Sequence, residues 1–272
     1  MKKGVRQGGI LSAYFFAVYM DLLCERLNNC RMGCEIAGLT INNLIYADDV
    51  CLIATTTKAI NSLLAICDSY ALEHRLTFNP VKTHVQTFFP KWLNQCDIIP
   101  QISFKGTSLS CESSVLYLGC LIEKITKYDH DRLSDNKEIA RRVRDLYKKS
   151  NMIKAKFSNC SREVKSYLFR SYLSTIYCSS LWDLTKADHH KIMVAYNDAL
   201  RIICGFRRDF GVIEMFTECK IRNFNEMLEH AAKSITNRLL CSSNSFIKCI
   251  SYSSWFSPPG LTSSNNNNNI AD

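Results

Sequence analysis

No two of the chain's 14 cysteines form a Cys-x-x-Cys pair, and none neighbours the His189-His190 pair. A zinc ribbon or a thioredoxin-like redox motif is therefore not supported. No apolar run is long enough to cross a bilayer: the longest candidate, Ile10 to Met20, stops at Asp21. Lys2, Lys3 and Arg6 before that run imitate a secretory leader. The imitation fails because Gly8-Gly9 separates charge from apolar residues and no small-x-small cleavage site precedes Glu25 and Arg26. A secreted, cysteine-stapled protein is the reading ranked last. A chain this long and apolar needs no staples, so small thiols in a reducing compartment, nucleus or cytoplasm, are the ordinary alternative. Internal repeats are also missing.

Acidic residues are scarce in one block. From Lys124 to Arg170 there are 14 Lys and Arg against 6 Asp and Glu, a surplus of 8 that accounts for nearly all of the net +9. Such a block attracts a polyanion, nucleic acid being the commonest, although basic helices also serve as plain solvated faces. The 272 residues, 47% of them hydrophobic, suffice for one large domain or two modest ones with packed cores. Apolar content gives out from Ser251, where serines, Pro258-Pro259-Gly260 and Asn265 to Asn269 predict a disordered tail over 251–272.

Against this background one stretch is costly without a purpose. Leu44 to Ala54 places Asp48 and Asp49 between two apolar runs rich in β-formers, Ile45 and Tyr46 on one side and Val50 and Ile53 on the other. Both runs read as strands buried on both faces, with the carboxylates at the hairpin tip. Two like charges there resist desolvation unless a cation compensates them, and hard divalent ions such as Mg²⁺ take carboxylate oxygens. An Asp-Asp turn is also ordinary turn chemistry. Taken alone, the pair leaves both readings open.

Tyr46-Ala-Asp-Asp49 resembles the active-site tetrapeptide of reverse transcriptases, and its neighbours resemble that family in the same order. Upstream, Gly4-Val-Arg-Gln-Gly-Gly-Ile-Leu-Ser12 is similar to the segment lining the nucleotide and template pocket. Downstream, Leu76 to Thr83 and Leu116-Tyr-Leu-Gly119 resemble the lysine-bearing loop and the primer-gripping hairpin. Leu168 to Tyr172, Leu181-Trp182 and Ala195 to Arg201 are similar to the thumb of non-LTR retrotransposon polymerases. One departure is Ala13, where the family usually has proline after the serine; alanine keeps the helix and loses pre-organisation.

The elements predicted from pattern fit such an arrangement. Gly4 to Gly9 reads as a loop leading to Ser12, the cap of a helix to about Leu27 whose Phe15, Phe16, Tyr19, Leu22 and Leu23 form one core face. Glu35 to Asn43 reads as a hairpin around Gly38, and Thr57 to His74 as a helix with Ile60, Leu63, Leu64, Cys67, Tyr70 and Ala71 inward. Asn79-Pro80 turns the chain before a strand at Val85 to Phe89. Further short strands are expected at Ile98 to Phe104 and Ser114 to Ile122. Beyond Tyr128 the pattern is helical: Ile139, Val143, Leu146 and Ile153 share a face, with Arg141, Arg142, Arg144, Lys148 and Lys149 exposed. Ser161 caps the next helix, through Ile176; Asp188 caps another that ends at Gly205, with His189-His190 exposed in its first turn; Asn225 to Leu240 forms a last one.

The resemblance implies an α+β chain: a partial polymerase palm over 1–125, with a short antiparallel sheet and covering helices, then an all-α thumb-like bundle over 126–250. It implies RNA-templated DNA synthesis through two Mg²⁺ ions roughly 3.5 to 4 Å apart. Asp48 and Asp49 would be the catalytic metal ligands, and Gln7, Gly8, Gly9 and Lys82 would face the nucleoside triphosphate. The basic helix would follow the phosphates of an RNA template and DNA primer. The family's third carboxylate comes from a strand upstream of Gly4-Val5-Arg6-Gln7, the segment at which this sequence begins. The expectation is a truncated polymerase portion, inactive alone, with an unpaired apolar edge beside the hairpin. The alternative is a non-catalytic nucleic-acid binding module that keeps the basic thumb.

Overall fold

The computed structural model describes residues 8–36, 38–88, 101–123, 135–182 and 184–251. The chain divides into two compact units, Met1–Glu112 and Ser113–Asp272. The first is mixed α and β with small sheets, and the second is mostly helical.

In the first unit, α1 (Ser12–Asn29) precedes two hairpins, β1 (Cys34–Ile36) with β2 (Leu39–Ile41) and β3 (Asn43–Tyr46) with β4 (Asp49–Leu52). Next comes α2 (Thr57–His74), whose bounds match those predicted, because Thr56 accepts a hydrogen bond from the Ala59 amide and Arg75 closes the helix at φ +57°. A 3-10 turn at Pro80–Lys82 leads to β5 (His84–Val85), β6 (Ser103–Phe104), β7 (Thr107–Ser108) and β8 (Ser110–Cys111). β6 and β7 pair antiparallel, β5 and β8 parallel. Among the described residues the strands pair only two by two, so the single short antiparallel sheet expected of this part is replaced by separate pairs.

The core of this unit lies between α1 and α2. Met20, Leu23 and Leu27 meet Leu63, Cys67 and Tyr70, with Ile45 and Val50 packed against them. Burial pushes the Cys67 thiol up to about 12, so it is an inert core residue. Three sequence expectations need correction here. The residue at the α1 cap is Leu11 and not Ser12, which is already helical. Phe15 and Leu22 are 56% and 40% exposed, because α1 has two apolar arcs and packs through the other; Tyr19, 38% exposed, lies at their edge, its hydroxyl donating to the His74 carbonyl of α2. The strands beside Asp48-Asp49 are not buried on both faces: β3 alternates, with Leu44 and Tyr46 outward.

The second unit opens with the hairpin β9 (Ser114–Tyr117) and β10 (Cys120–Glu123), joined by Leu118 and Gly119, both at positive φ. Such a turn matches strand twist. Then follow α3 (Asn136–Lys156), α4 (Arg162–Tyr172), α5 (Lys186–Cys204), α6 (Val212–Cys219), α7 (Phe224–Leu240) and α8 (Ser245–Ser251). The core centres on α5, where Ile192, Tyr196, Ala199, Leu200 and Ile203 meet Ile139, Leu146 and Ile153 of α3, Phe169 of α4 and Phe216 of α6. Ser161 caps α4 and Gly205 ends α5 at φ +72°, as predicted. The α5 cap is Thr185, and Asp188 lies in its first turn instead. α4 ends at Tyr172, so Ile176 is buried from a turn and not from the helix. His190 is exposed; His189 is only partly so, with Nε2 2.9 Å from Asn225 Oδ1. Against the expectation of unpaired thiols, Cys120 and Cys178 form a disulfide across a Cα separation of 6.6 Å. The strand expected at 85–89 reduces to His84–Val85 and the one expected at 98–104 to Ser103–Phe104; residues 89 and 98–100, and the tail beyond Ser251, lie outside the described residues.

Candidate metal-binding hairpin and basic helix face

The β3–β4 hairpin is held from below. Asn42, 2% exposed, donates to the Leu27 carbonyl at 2.6 Å, and its own carbonyl accepts from the Ile53 amide at 2.8 Å. Ile45 lies opposite Val50 and both face the core, so the next pair outward, Tyr46 opposite Asp49, faces away from it. Only Ala47 and Asp48 form the turn, and Ala47 takes φ +52° to close it. Asp48 is thus at the tip and Asp49 opens β4, both exposed.

Among the described residues neither carboxylate has an ion pair, and no group of three or more His, Cys, Asp or Glu surrounds them. Adjacent, solvated carboxylates on a short, braced turn suit a hard cation. Mg²⁺ is commonly held by one or two carboxylates while waters and phosphate oxygens complete its shell. The donor set therefore fits such an ion.

The other residues singled out from sequence fall as follows. Gly8 takes φ +77° and the Gly9 carbonyl accepts from the Ser12 amide at 3.1 Å, while Gln7 lies outside the described residues. Lys82 is exposed on the Pro80–Lys82 turn, where Asn79 Oδ1 accepts from the Val81 amide at 3.0 Å and Lys82 N–H donates to the Asn79 carbonyl at 3.2 Å. These residues and the aspartates all belong to the first unit.

The five basic residues belong to the second, on α3. Arg144 and Lys148 are exposed opposite the buried row Ile139, Leu146 and Ile153, with Lys137 on the same side and Lys156 on its flank. Lys149 pairs with Asp145 at 2.8 Å. Arg141 and Arg142 depart from the exposed position expected of them, with side chains 33% and 12% exposed. The cause is Glu138, an acid 1% exposed that sequence reasoning passed over. Arg141 Nε donates to it at 2.8 Å and Arg142 Nε at 2.6 Å. Burial pushes the Glu138 carboxyl up, and the hydrogen bonds from Arg141 and Arg142 outweigh that and hold it below the ordinary carboxylate value. The i, i+3 and i, i+4 spacing of an acid to two arginines was the available signal.

Comparison with known proteins yields two similarities. Residues 1–122 match the family described as reverse transcriptase (RNA-dependent DNA polymerase). A stretch of 88 residues is 32% identical to the retrovirus-related Pol polyprotein from type-1 retrotransposable element R2 of Nasonia vitripennis. The match spans 32% of this chain and 8% of that polyprotein, so the chain corresponds to a small part of that relative. No solved structure matches. Among the described residues no helix is long and apolar enough to cross a membrane.

Proposed function

Residues 1–122 belong to the reverse transcriptase family, and on that premise we propose that this chain carries the metal-bearing part of a polymerase palm, residues 1–125, followed by a helical thumb, residues 126–250. Asp48 and Asp49 supply carboxylate oxygens to Mg²⁺ at the hairpin tip. An Mg²⁺ ion held by these carboxylates would supply Lewis-acid activation of a primer 3′-hydroxyl and charge stabilisation for a leaving pyrophosphate. Gly8 and Gly9 let backbone approach the nucleoside triphosphate, Gln7 contacts nucleotide and template, and Lys82 offsets the triphosphate's charge. The exposed row of α3 follows the phosphates of an RNA template and DNA primer.

The observation that carries this reading is the exposed Asp48-Asp49 pair on a hairpin whose other face is packed, within the segment matched to the family. Mn²⁺ as a paramagnetic probe is expected to broaden the amide signals of Ala47 to Val50 in the wild type and not in Asp48→Asn/Asp49→Asn. Broadening that persists in the double variant places the ion elsewhere. Two carboxylates are fewer than a two-metal clamp uses, and no third acid joins them among the described residues. The 272 residues are accordingly proposed not to extend a primer by themselves. Extension by the purified chain with Mg²⁺, abolished by Asp48→Asn, would overturn this.

The basic row on α3 favours a second reading, a nucleic-acid binding module without catalysis. It stands on a different unit from the aspartates. That reading expects salt-sensitive duplex binding that survives Asp48→Asn.

A further inference from the structure

The β9–β10 hairpin is fastened to α3 and, through Tyr177 and the Cys120–Cys178 link, to the segment after α4. The Gly119 carbonyl accepts from Arg141 Nη2 at 2.6 Å and from Arg142 Nη2 at 2.9 Å. The Leu118 carbonyl accepts from the Tyr177 hydroxyl at 2.9 Å, and the Arg142 guanidinium lies 5.5 Å from the Tyr177 ring centre. The Leu121 amide donates to Glu138 Oε2 at 3.3 Å, and the Lys137 amide to Glu123 Oε1 at 2.8 Å. Glu138 is at the centre: each arginine that reaches Gly119 is also held by that one buried carboxylate. A guanidinium fixed along Nε and Nη2 keeps its remaining nitrogen in a set direction. Arg141 Nη1 has no partner among the described residues, and the Arg141 side chain is one-third exposed.

We propose that Glu138 is a positioning residue: it locks Arg141 and Arg142 against Gly119 so that the hairpin and the basic row of α3 meet a nucleic-acid backbone as one preformed surface, with Arg141 Nη1 aimed at a phosphate beside the turn. The inference rests on the nucleic-acid reading above and adds to it the residue that organises the contact. A flexible basic face binds through charge alone, and for it Glu138 is only a repelling charge. A preformed face has less ordering left to do when the ligand arrives.

The two cases differ in sign. Glu138→Gln removes a negative charge, so a surface acting only through charge would bind a polyanion more tightly. If Glu138 positions the arginines, binding weakens in spite of the added charge. The full 272-residue chain is titrated with a fluorescent RNA–DNA hybrid duplex over a salt series. Glu138→Gln is expected to weaken binding roughly tenfold, the scale of one charge-assisted hydrogen bond. Arg141→Lys keeps the charge and the Arg142–Glu138 pair but removes the fork, and is expected to weaken binding by a similar factor at an unchanged salt slope. This variant decides the matter should Glu138→Gln fail to fold. Arg144→Ala and Lys148→Ala report on the underlying reading, each lowering the magnitude of the salt slope by about one. Wild-type chain that shows no salt-sensitive binding overturns the nucleic-acid reading and this inference with it. Binding that responds to Arg144→Ala and Lys148→Ala, with Arg141→Lys equal to wild type and Glu138→Gln equal or tighter, overturns the positioning role alone.

Discussion

Ala47 closes the β3–β4 turn at φ +52°, a region that costs a residue with a Cβ about 1–2 kcal/mol and glycine almost nothing. The strain falls one residue before Asp48, where a short turn sets both carboxylates. Ala47→Gly is expected to raise stability by about 0.5–1 kcal/mol, since relief of strain exceeds the extra freedom gained by the unfolded chain. A higher urea midpoint at unchanged slope is the expected reading; a lower midpoint would show that the turn is unstrained. Glu138 gives a prediction in pH. Its carboxyl is held below its ordinary value of 4.5 in the folded chain, so its contribution is complete above that pH and is lost as pH falls through the folded value. Glu138→Gln is expected to cost about 3 kcal/mol at neutral pH, by taking the carboxylate from Arg142 where that side chain is 12% exposed, and to flatten the loss of stability below pH 4.5. Urea midpoints of the helical unit from pH 3 to 7 check both. At this scale the hairpin tip was legible because two acids between apolar runs permit few other places. Glu138 was not, since in a basic helix one acid reads as surface charge until the hairpin that covers it is known.

Among the elements, α2 was legible because Ala59, Leu63, Leu64, Cys67, Tyr70 and Ala71 recur at helical spacing and are all buried, behind a Thr-rich start whose Thr56 caps the helix. α1 was half legible. Its sequence carries two apolar arcs, and nothing local tells that Met20, Leu23 and Leu27 go inward while Tyr14, Phe15, Val18 and Leu22 stay out. The strands were located better than their pairing. At two to four residues each they are too short for period two to declare a face or a partner, and pairing is decided by distant residues. Cap positions slipped where a second candidate stands within one turn, as Thr185 does before Asp188. The outward arc of α1 gives an expectation of its own. An apolar row of this kind invites association between chains. Val18→Lys with Leu22→Lys, at residues 55% and 40% exposed, is expected to lower light scattering at high protein concentration while changing stability by less than about 0.5 kcal/mol. A large loss of stability would mean that this face is packed in solution.

At the scale of the whole chain, the strand pattern groups everything to residue 125 with the first part, while the compact units divide after Glu112. The difference is the β9–β10 hairpin, whose strands read as part of a sheet but whose contacts run to α3 through Glu138, Arg141 and Arg142. A strand pattern does not reveal which neighbour supplies its buried partners. The division has an energetic consequence. The cluster around Leu63 and the cluster around Leu200 share no residue. Among the described residues the first supports only two-stranded sheets, which are marginal without other cover, whereas the second is enclosed by helices on several sides of α5. The first unit is therefore expected to open at lower urea than the second. Leu63→Ala and Leu200→Ala, both at fully buried positions, should each cost about 2–5 kcal/mol within the unit that contains them. Hydrogen exchange read by peptide over a urea series separates the two events. Leu63→Ala is expected to advance exchange in peptides from α1 and α2 and leave those from α3 and α5 in place, with the reverse for Leu200→Ala. A single transition, moved as a whole by either variant, would show that the two cores fold as one and that the hairpin's allegiance to α3 does not mark a boundary in stability.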